Sequence, residues 1–234
     1  MDYDAICSRV AAAGMLCRGG FHPSSDDGLP AGTGTAVMVG NAGSEFWRHF
    51  RAEFPPEIAA GADNPISDNP RPDNPMEVWS SGVLNGVAQE LGATVLFPFG
   101  GPPHLPFMRW AQKAETVFPS PIGPLIHPTY GLWHAYRGIL IFTERIAVPE
   151  RRPGRSPCAD CDAKPCLHSC PVGAMHADGF EIDPCIAHLA SSSGGDCMTF
   201  GCAARRGCPV GAAYIYGPDQ AQFHQRAFFR SHAP

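Results

Sequence analysis

The stretch "CADCDAKPCLHSCPVGAM", residues 158–175, sets four cysteines in the order C-x2-C-x4-C-x3-C-P. Its last part, "CPVGAM" at 170–175, returns as "CPVGAA" at 208–213, and a lone cysteine in "DPCIAHL" at 183–189 lies between the two copies. Eight of the ten cysteines fall between residues 158 and 208. Such density reads as disulfides in an exported chain and as metal ligation in a reducing compartment. The first residues, "MDYDAICSRVAAAGMLCRGG", begin acidic and carry no basic region or arginine pair ahead of an apolar core. They do not read as a secretory or twin-arginine signal, so a cytoplasmic location and metal ligation are expected.

The repeated Cys-Pro-Val-Gly-Ala predicts two metal sites. The run resembles that of bacterial two-cluster ferredoxins, where three closely spaced thiolates hold one iron–sulfur cluster and the cysteine before proline ligates the other. That resemblance implies Cys158, Cys161, Cys166 and Cys208 on one [4Fe–4S] cluster and Cys170, Cys185, Cys197 and Cys202 on a second. No cysteine of the segment is left over. Zinc is the alternative, because C-x2-C pairs also build tetrahedral all-cysteine sites. The Pro-Val-Gly-Ala continuation and the interleaving of the two sets favour iron and sulfide. The spacing departs from the ferredoxin pattern, with four residues before Cys166 and five before Cys208, which leaves the nuclearity open. Cys7 and Cys17 read as small buried hydrophobes.

Around this segment, 234 residues suffice for one core with an appendage or for two small domains. No stretch reaches the roughly 20 apolar residues of a membrane helix. A net charge of -5 with no long basic run makes neither nucleic acid nor membrane an expected partner. Residues 2–14 predict a helix, "GTAVMV" at 34–39 a strand, and 43–52 a second helix. "ADNPISDNPRPDNP" at 62–75 repeats Asp-Asn-Pro and reads as a turn-rich surface loop. Asn74 as N-cap, Pro75 at the first helical position and Glu77 open a helix whose Met76, Trp79, Val83, Leu84, Val87 and Leu91 share one face as far as Gly92. "ATVLFPF" (93–99) and "RGILIFTERIAV" (137–148) predict strands, and the Pro/Gly/His/aromatic stretch between them a pocket wall. The proline- and arginine-rich residues 148–157 read as a hinge, giving domains at 1–150 and 151–234.

"LIHPTYGLWHAYRGILIF", residues 125–142, resembles the Ile-His-Pro-x-aromatic-Gly-x-Trp-x-Ala-x-Arg-Gly run of CblC-type cobalamin-processing proteins, matched at Ile126, His127, Pro128, Tyr130, Gly131, Trp133, Ala135, Arg137 and Gly138. The C-terminal half is similar instead to epoxyqueuosine reductase and the reductive dehalogenases, in the order of its cysteines. These resemblances imply an α+β, nitroreductase-like cobalamin-binding domain followed by a small two-cluster ferredoxin-like domain. They imply a base-off cobalamin without a protein lower ligand, and no Asp-x-His-x-x-Gly run occurs in the chain. His104, Phe107, His127, Tyr130, Trp133 and Arg137 become the candidate corrinoid contacts, with Tyr130 and His127 as candidate catalytic groups. The competing reading has His127 and His104 satisfied by their own loops and the aromatics in the core. The glutathione site of the CblC type does not map, because that resemblance fades after about residue 145.

The function expected is a cytoplasmic protein that passes electrons from a low-potential donor (ferredoxin, flavodoxin or flavin reductase) through its clusters to cobalamin and removes the upper ligand. A homodimer is consistent with the CblC resemblance. Two alternatives stand: a corrinoid reductase of an external epoxide or halide, and a plain electron-transfer ferredoxin whose first domain docks a partner.

Overall fold

The strand expected at 34–39 runs from Thr35 to Ala42 and is buried at every position. In this computed structural model, which describes residues 1–54, 74–100, 102–177 and 179–233, that strand is central to one of two compact units. The first unit comprises Met1–Thr116 and Ala135–Gly154; the second comprises Val117–His134 and Arg155–Pro234. The division differs from a single cut near residue 150: residues 117–134, with half of the His-Pro motif, belong with the cysteine segment.

The first unit carries a four-stranded sheet in the order β1-β2-β6-β3, from β1 (Leu16–Phe21), β2 (Thr35–Ala42), β3 (Thr94–Leu96) and β6 (His134–Phe142). β1 pairs antiparallel with β2, β3 antiparallel with β6. Helices α1 (Tyr3–Ala12), α2 (Glu45–Glu53), α3 (Pro75–Leu91) and α4 (Phe107–Ala114) pack around it. α3 starts and stops where expected, with Pro75 in the first turn and Gly92 left-handed at φ 64, although the Asn74 side chain makes no capping bond. Met76, Trp79, Leu84 and Val87 of α3 are buried. Gly138 of β6 lies under this helix, where an added Cβ would come within 2.8 Å of Leu84. Of the Asp-Asn-Pro loop, residues 62–73 lie outside the described residues.

Two elements were not expected. β1, "LCRGGF", has neither alternation nor β-branched residues, and its register with β2 shifts between Cys17 and Gly20. Gly19 takes φ 78, and an added Cβ would meet the Ala114 carbonyl oxygen at 2.1 Å, so the bulge needs glycine. Helix α4 lies within the expected pocket wall. Phe107, Trp110, Ala111 and Ala114 are its buried face at helical spacing. The Trp110 indole N–H donates to the Asp27 carbonyl oxygen at 2.8 Å.

The second unit has little regular structure: short pairs β4 (Phe118–Pro119) with β5 (Leu125–Ile126) and β7 (Met175–His176) with β8 (Gly179–Phe180), then α5 (Ile182–Ala190), α6 (Gly195–Phe200), α7 (Ala203–Arg206) and α8 (Pro218–His232). Cysteines form its packing centres. Ile122, Ile126 and Leu132 gather around Cys166 and Cys208, and Ile186 and Leu189 gather around Cys197. No helix among the described residues is long and apolar enough to cross a membrane.

Candidate metal centre and the His127 turn

Short 3-10 turns at Pro157–Asp160 and Pro165–Leu167 present Cys158 and Cys166. Ser156 caps the first turn by accepting from Cys158 N–H at 3.3 Å, and Lys164, left-handed at φ 38, opens the second. The segment after α7 brings in Cys208. Cys158, Cys161, Cys166 and Cys208 line one small cavity together with Ile126 and Lys164. Burial pushes the Cys166 thiol up, and the neighbouring Cys208, Cys158 and Cys161 push it further. Burial likewise raises Cys158, with Cys208 and Cys161 adding and Lys164 opposing.

The other four cysteines form a second set. Burial pushes Cys185 up to about 11, and its remaining causes are Cys202, Cys170 and Cys197. Cys197 is raised by burial and by Cys202, against a donated N–H from Ala203. The structure thus sorts the eight cysteines into 158/161/166/208 and 170/185/197/202. Burial first, and neighbouring thiols second, hold Cys158, Cys166 and Cys208 in one set and Cys185 and Cys197 in the other above the usual thiol value, the condition a bound cation relieves. All-sulfur donors suit iron–sulfur or zinc. Among the described residues, no three His, Cys, Asp or Glu side chains form a group that would hold a single metal ion.

The His-Pro motif folds into a tight turn in the same unit. His127 and Gly131 exchange backbone hydrogen bonds of 2.9 Å. His127 Nδ1 accepts from the N–H of Thr129 at 3.0 Å and of Tyr130 at 3.1 Å, which puts the proton of the neutral ring on Nε2. Tyr130 stacks on His127 with centroids 4.3 Å apart and receives the edge of Tyr214 at 4.9 Å. His134, whose Nε2 pairs with the Leu125 carbonyl oxygen at 2.9 Å, is buried beneath. Trp133, 1% exposed, meets Tyr216 edge-on. Its indole N–H is buried with no hydrogen-bond partner among the described residues.

The six candidate corrinoid contacts fall in different units. His127, Tyr130 and Trp133 belong to the second; His104, Phe107 and Arg137 belong to the first. His104 is exposed, and Phe107 is buried against Trp110 with centroids 5.1 Å apart. Arg137 donates to Asn41 Oδ1 at 3.4 Å, covers the Phe46 ring at 4.9 Å and faces Glu77. Sequence reasoning missed Arg205, which donates to the Leu132 carbonyl oxygen and lies over Trp133 and Tyr216 at 4.5 and 4.7 Å. It also missed Tyr214 and Tyr216, whose signal was the aromatic pair following the second Cys-Pro-Val-Gly-Ala.

No protein-family model matches the sequence, and no curated protein matches it. The fold does have solved counterparts. Epoxyqueuosine reductase from Streptococcus thermophilus is 15% identical, with a TM-score of 0.53 over 94% of this chain and 70% of that one. An epoxyqueuosine reductase solved with a tRNA-Tyr epoxyqueuosine-modified stem loop is 12% identical, with a TM-score of 0.49 over 93% and 68%. The Caenorhabditis elegans B12-trafficking protein CblC is 17% identical, with a TM-score of 0.48 over 67% and 77%. The first of these shows that the chain shares the mixed α and β fold of epoxyqueuosine reductase along nearly its whole length.

Proposed function

We propose that the chain is an iron–sulfur corrinoid reductase. It would hold two [4Fe–4S] clusters, one on Cys158, Cys161, Cys166 and Cys208 and one on Cys170, Cys185, Cys197 and Cys202. It would also bind a base-off cobalamin without a protein lower ligand. The observation that carries this reading is the sorting of eight thiols into two crossed sets of four. The fold shared with epoxyqueuosine reductase supports it. When bound, the clusters supply low-potential single electrons, and the corrinoid supplies the reducible metal centre.

The chain's own residues do the rest. The apolar walls at Ile126 and Ile186 keep water from the thiolates, and Lys164 offsets part of the charge of the first set. His127 keeps its proton on Nε2, and Tyr130 is held by the His127 and Tyr214 rings with its hydroxyl as a second proton-bearing atom. These are the proposed proton carriers; Trp133, Phe107, His104 and Arg137 are the remaining proposed corrinoid contacts. We assign corrinoid binding to 1–150 and the clusters to a ferredoxin-like segment at 151–234, in a cytoplasmic protein reduced by a low-potential donor and able to pair as a homodimer. The reaction proposed is reductive removal of the upper ligand of cobalamin.

The test is reductive turnover of cyanocobalamin by the anaerobically purified protein. Cys158→Ala and Cys170→Ala should each abolish cyanide release while corrinoid binding persists; unchanged release in both variants refutes the proposal.

A second reading, reduction of an external epoxide, is favoured by the extent of the likeness to epoxyqueuosine reductase. The acidic net charge argues against nucleic acid, yet one reductase of this fold was solved with a tRNA stem loop. Turnover of cyanocobalamin with no added substrate supports the first reading. Turnover only with an epoxyqueuosine stem loop supports the second.

A further inference from the structure

Between Cys161 and Cys166 the chain has four residues, Asp-Ala-Lys-Pro, where the bacterial ferredoxin run has two. The longer connection brings in Lys164. It is the one residue other than glycine with positive φ among the described residues, at φ 38 and ψ 56. An L-residue is strained there, and a residue before proline is normally extended. The left-handed turn carries the side chain back along the chain, where the Lys164 ammonium donates to the Cys161 carbonyl oxygen at 3.4 Å. Lys164 thereby lines the same small cavity as Cys158, Cys161, Cys166 and Cys208. Among the described residues no carboxylate lies within ion-pairing distance of it, and Asp160 is held instead by Arg155 at 3.0 Å. The second set has a neutralised counterpart. Arg206, whose backbone N–H donates to the Cys202 carbonyl oxygen at 3.0 Å, ion-pairs with Asp196, the residue before Cys197.

On the two-cluster reading above, we propose that Lys164 acts through the first cysteine set and places the reduction potential of its cluster above that of the second. Reduction adds one electron and one negative charge to a thiolate-bound cluster, with no bond made or broken and no proton taken up. A cation without a carboxylate partner at the cavity wall stabilises the reduced form more than the oxidised one. At the second set, Asp196 cancels most of the same effect from Arg206. An electron delivered by a low-potential one-electron carrier therefore settles on the first set. The wall of that cavity also includes Ile126 and Val210, and the Val210 carbonyl is what seats Gly131 of the His127 turn. Lys164 thus directs the electron toward that turn.

The test is an EPR-monitored redox titration of the intact, cluster-loaded protein with dithionite under anaerobic conditions, the first-set signal being the one lost in Cys166→Ala. In the unaltered protein that signal should appear at the higher potential. Lys164→Gln removes the charge. Lys164→Gly removes it and also relieves the left-handed strain, so a distorted turn does not explain a result the two variants share. In both, the one-electron equilibrium of the first set should fall about tenfold toward the oxidised form, a drop of about 59 mV, with the second midpoint unmoved. Lys164→Arg should keep the unaltered value. Unmoved midpoints in the Gln and Gly variants would overturn the proposal, as would equal shifts of both signals or an Arg variant that falls with the other two. Absence of two cluster signals in the unaltered protein refutes this proposal and the cluster reading beneath it; two signals that do not respond to Lys164 refute only the role of the lysine.

Discussion

Gly131 and Gly211 are packed backbone to backbone. A β-carbon on Gly131 would lie 1.9 Å from the Val210 carbonyl oxygen, and one on Gly211 would lie 2.3 Å from the Tyr130 carbonyl carbon. Both glycines are left-handed, at φ 57 and φ 77. The His127 turn is therefore seated on the loop that follows Cys208, and neither chain segment could approach so closely with a side chain at either position. This contact links the motif that resembles a cobalamin processor to the motif that resembles a ferredoxin.

Gly131→Ala and Gly211→Ala should each cost about 3 kcal/mol or more, from left-handed strain together with the clash. The readout is the rate at which an iron chelator strips the protein, which should rise in both variants. Gly86→Ala is the control. It lies in α3 with open space around it, and the change should stabilise by about 0.5–1 kcal/mol.

The crossed sorting of the cysteines gives a sharper test than iron content alone. Cys166→Ala and Cys208→Ala should remove the same EPR signal despite their distance in sequence, and Cys170→Ala should remove the other signal together with Cys197→Ala. Each variant should fall from about eight to about four irons per chain. Loss of the Cys166 signal in Cys170→Ala would contradict the sorting.

His127→Ala removes the acceptor of two backbone N–H groups and should destabilise the turn by about 1–2 kcal/mol. His127→Asn keeps an acceptor and should recover most of that loss. Tyr130→Phe keeps the ring contacts with His127 and Tyr214, so thermal stability should be nearly unchanged while cyanide release slows at least tenfold. Equal turnover in Tyr130→Phe would remove the hydroxyl from the proposed proton carriers.

Asp27 sets a pH dependence in the first unit. Its carboxylate is 1% exposed, ion-pairs with Lys113 and accepts from Ser24 N–H at 2.8 Å. Burial alone would raise its pKa, but Lys113 and the two Ser24 donors outweigh burial and hold it below the usual carboxylate value. Its stabilisation is present in full above the ordinary carboxylate range and is lost as pH falls through the lowered value. Asp27→Asn should lose about 1–3 kcal/mol at neutral pH, and denaturant titrations of variant and parent should converge in strong acid.

The sequence made α3 and β2 legible because their signals were local: a proline start, a glycine stop and an apolar period in one, an unbroken apolar run in the other. The two cysteine sets were expected from the resemblance to two-cluster ferredoxins, not from spacing alone. β1 was hidden because two glycines serve a bulge there, and α4 because prolines and polar residues around it masked a four-residue apolar face. The candidate corrinoid contacts were the least legible. Phe107 and Trp133 are buried against Trp110 and Tyr216, which an aromatic in a sequence motif does not reveal. Residues 117–134 pack with the cysteines through Gly131 and Leu132, contacts that depend on partners some 75 residues away in the chain.

The most direct test of the account is an anaerobic titration of the intact protein with cob(II)alamin, with iron and sulfide quantified beforehand and EPR and visible spectra followed throughout. The account predicts about eight irons per chain and a saturable shift of the corrinoid spectrum to the base-off form. Eight irons with no change in the corrinoid spectrum would contradict it and leave an electron-transfer protein in place of a corrinoid reductase.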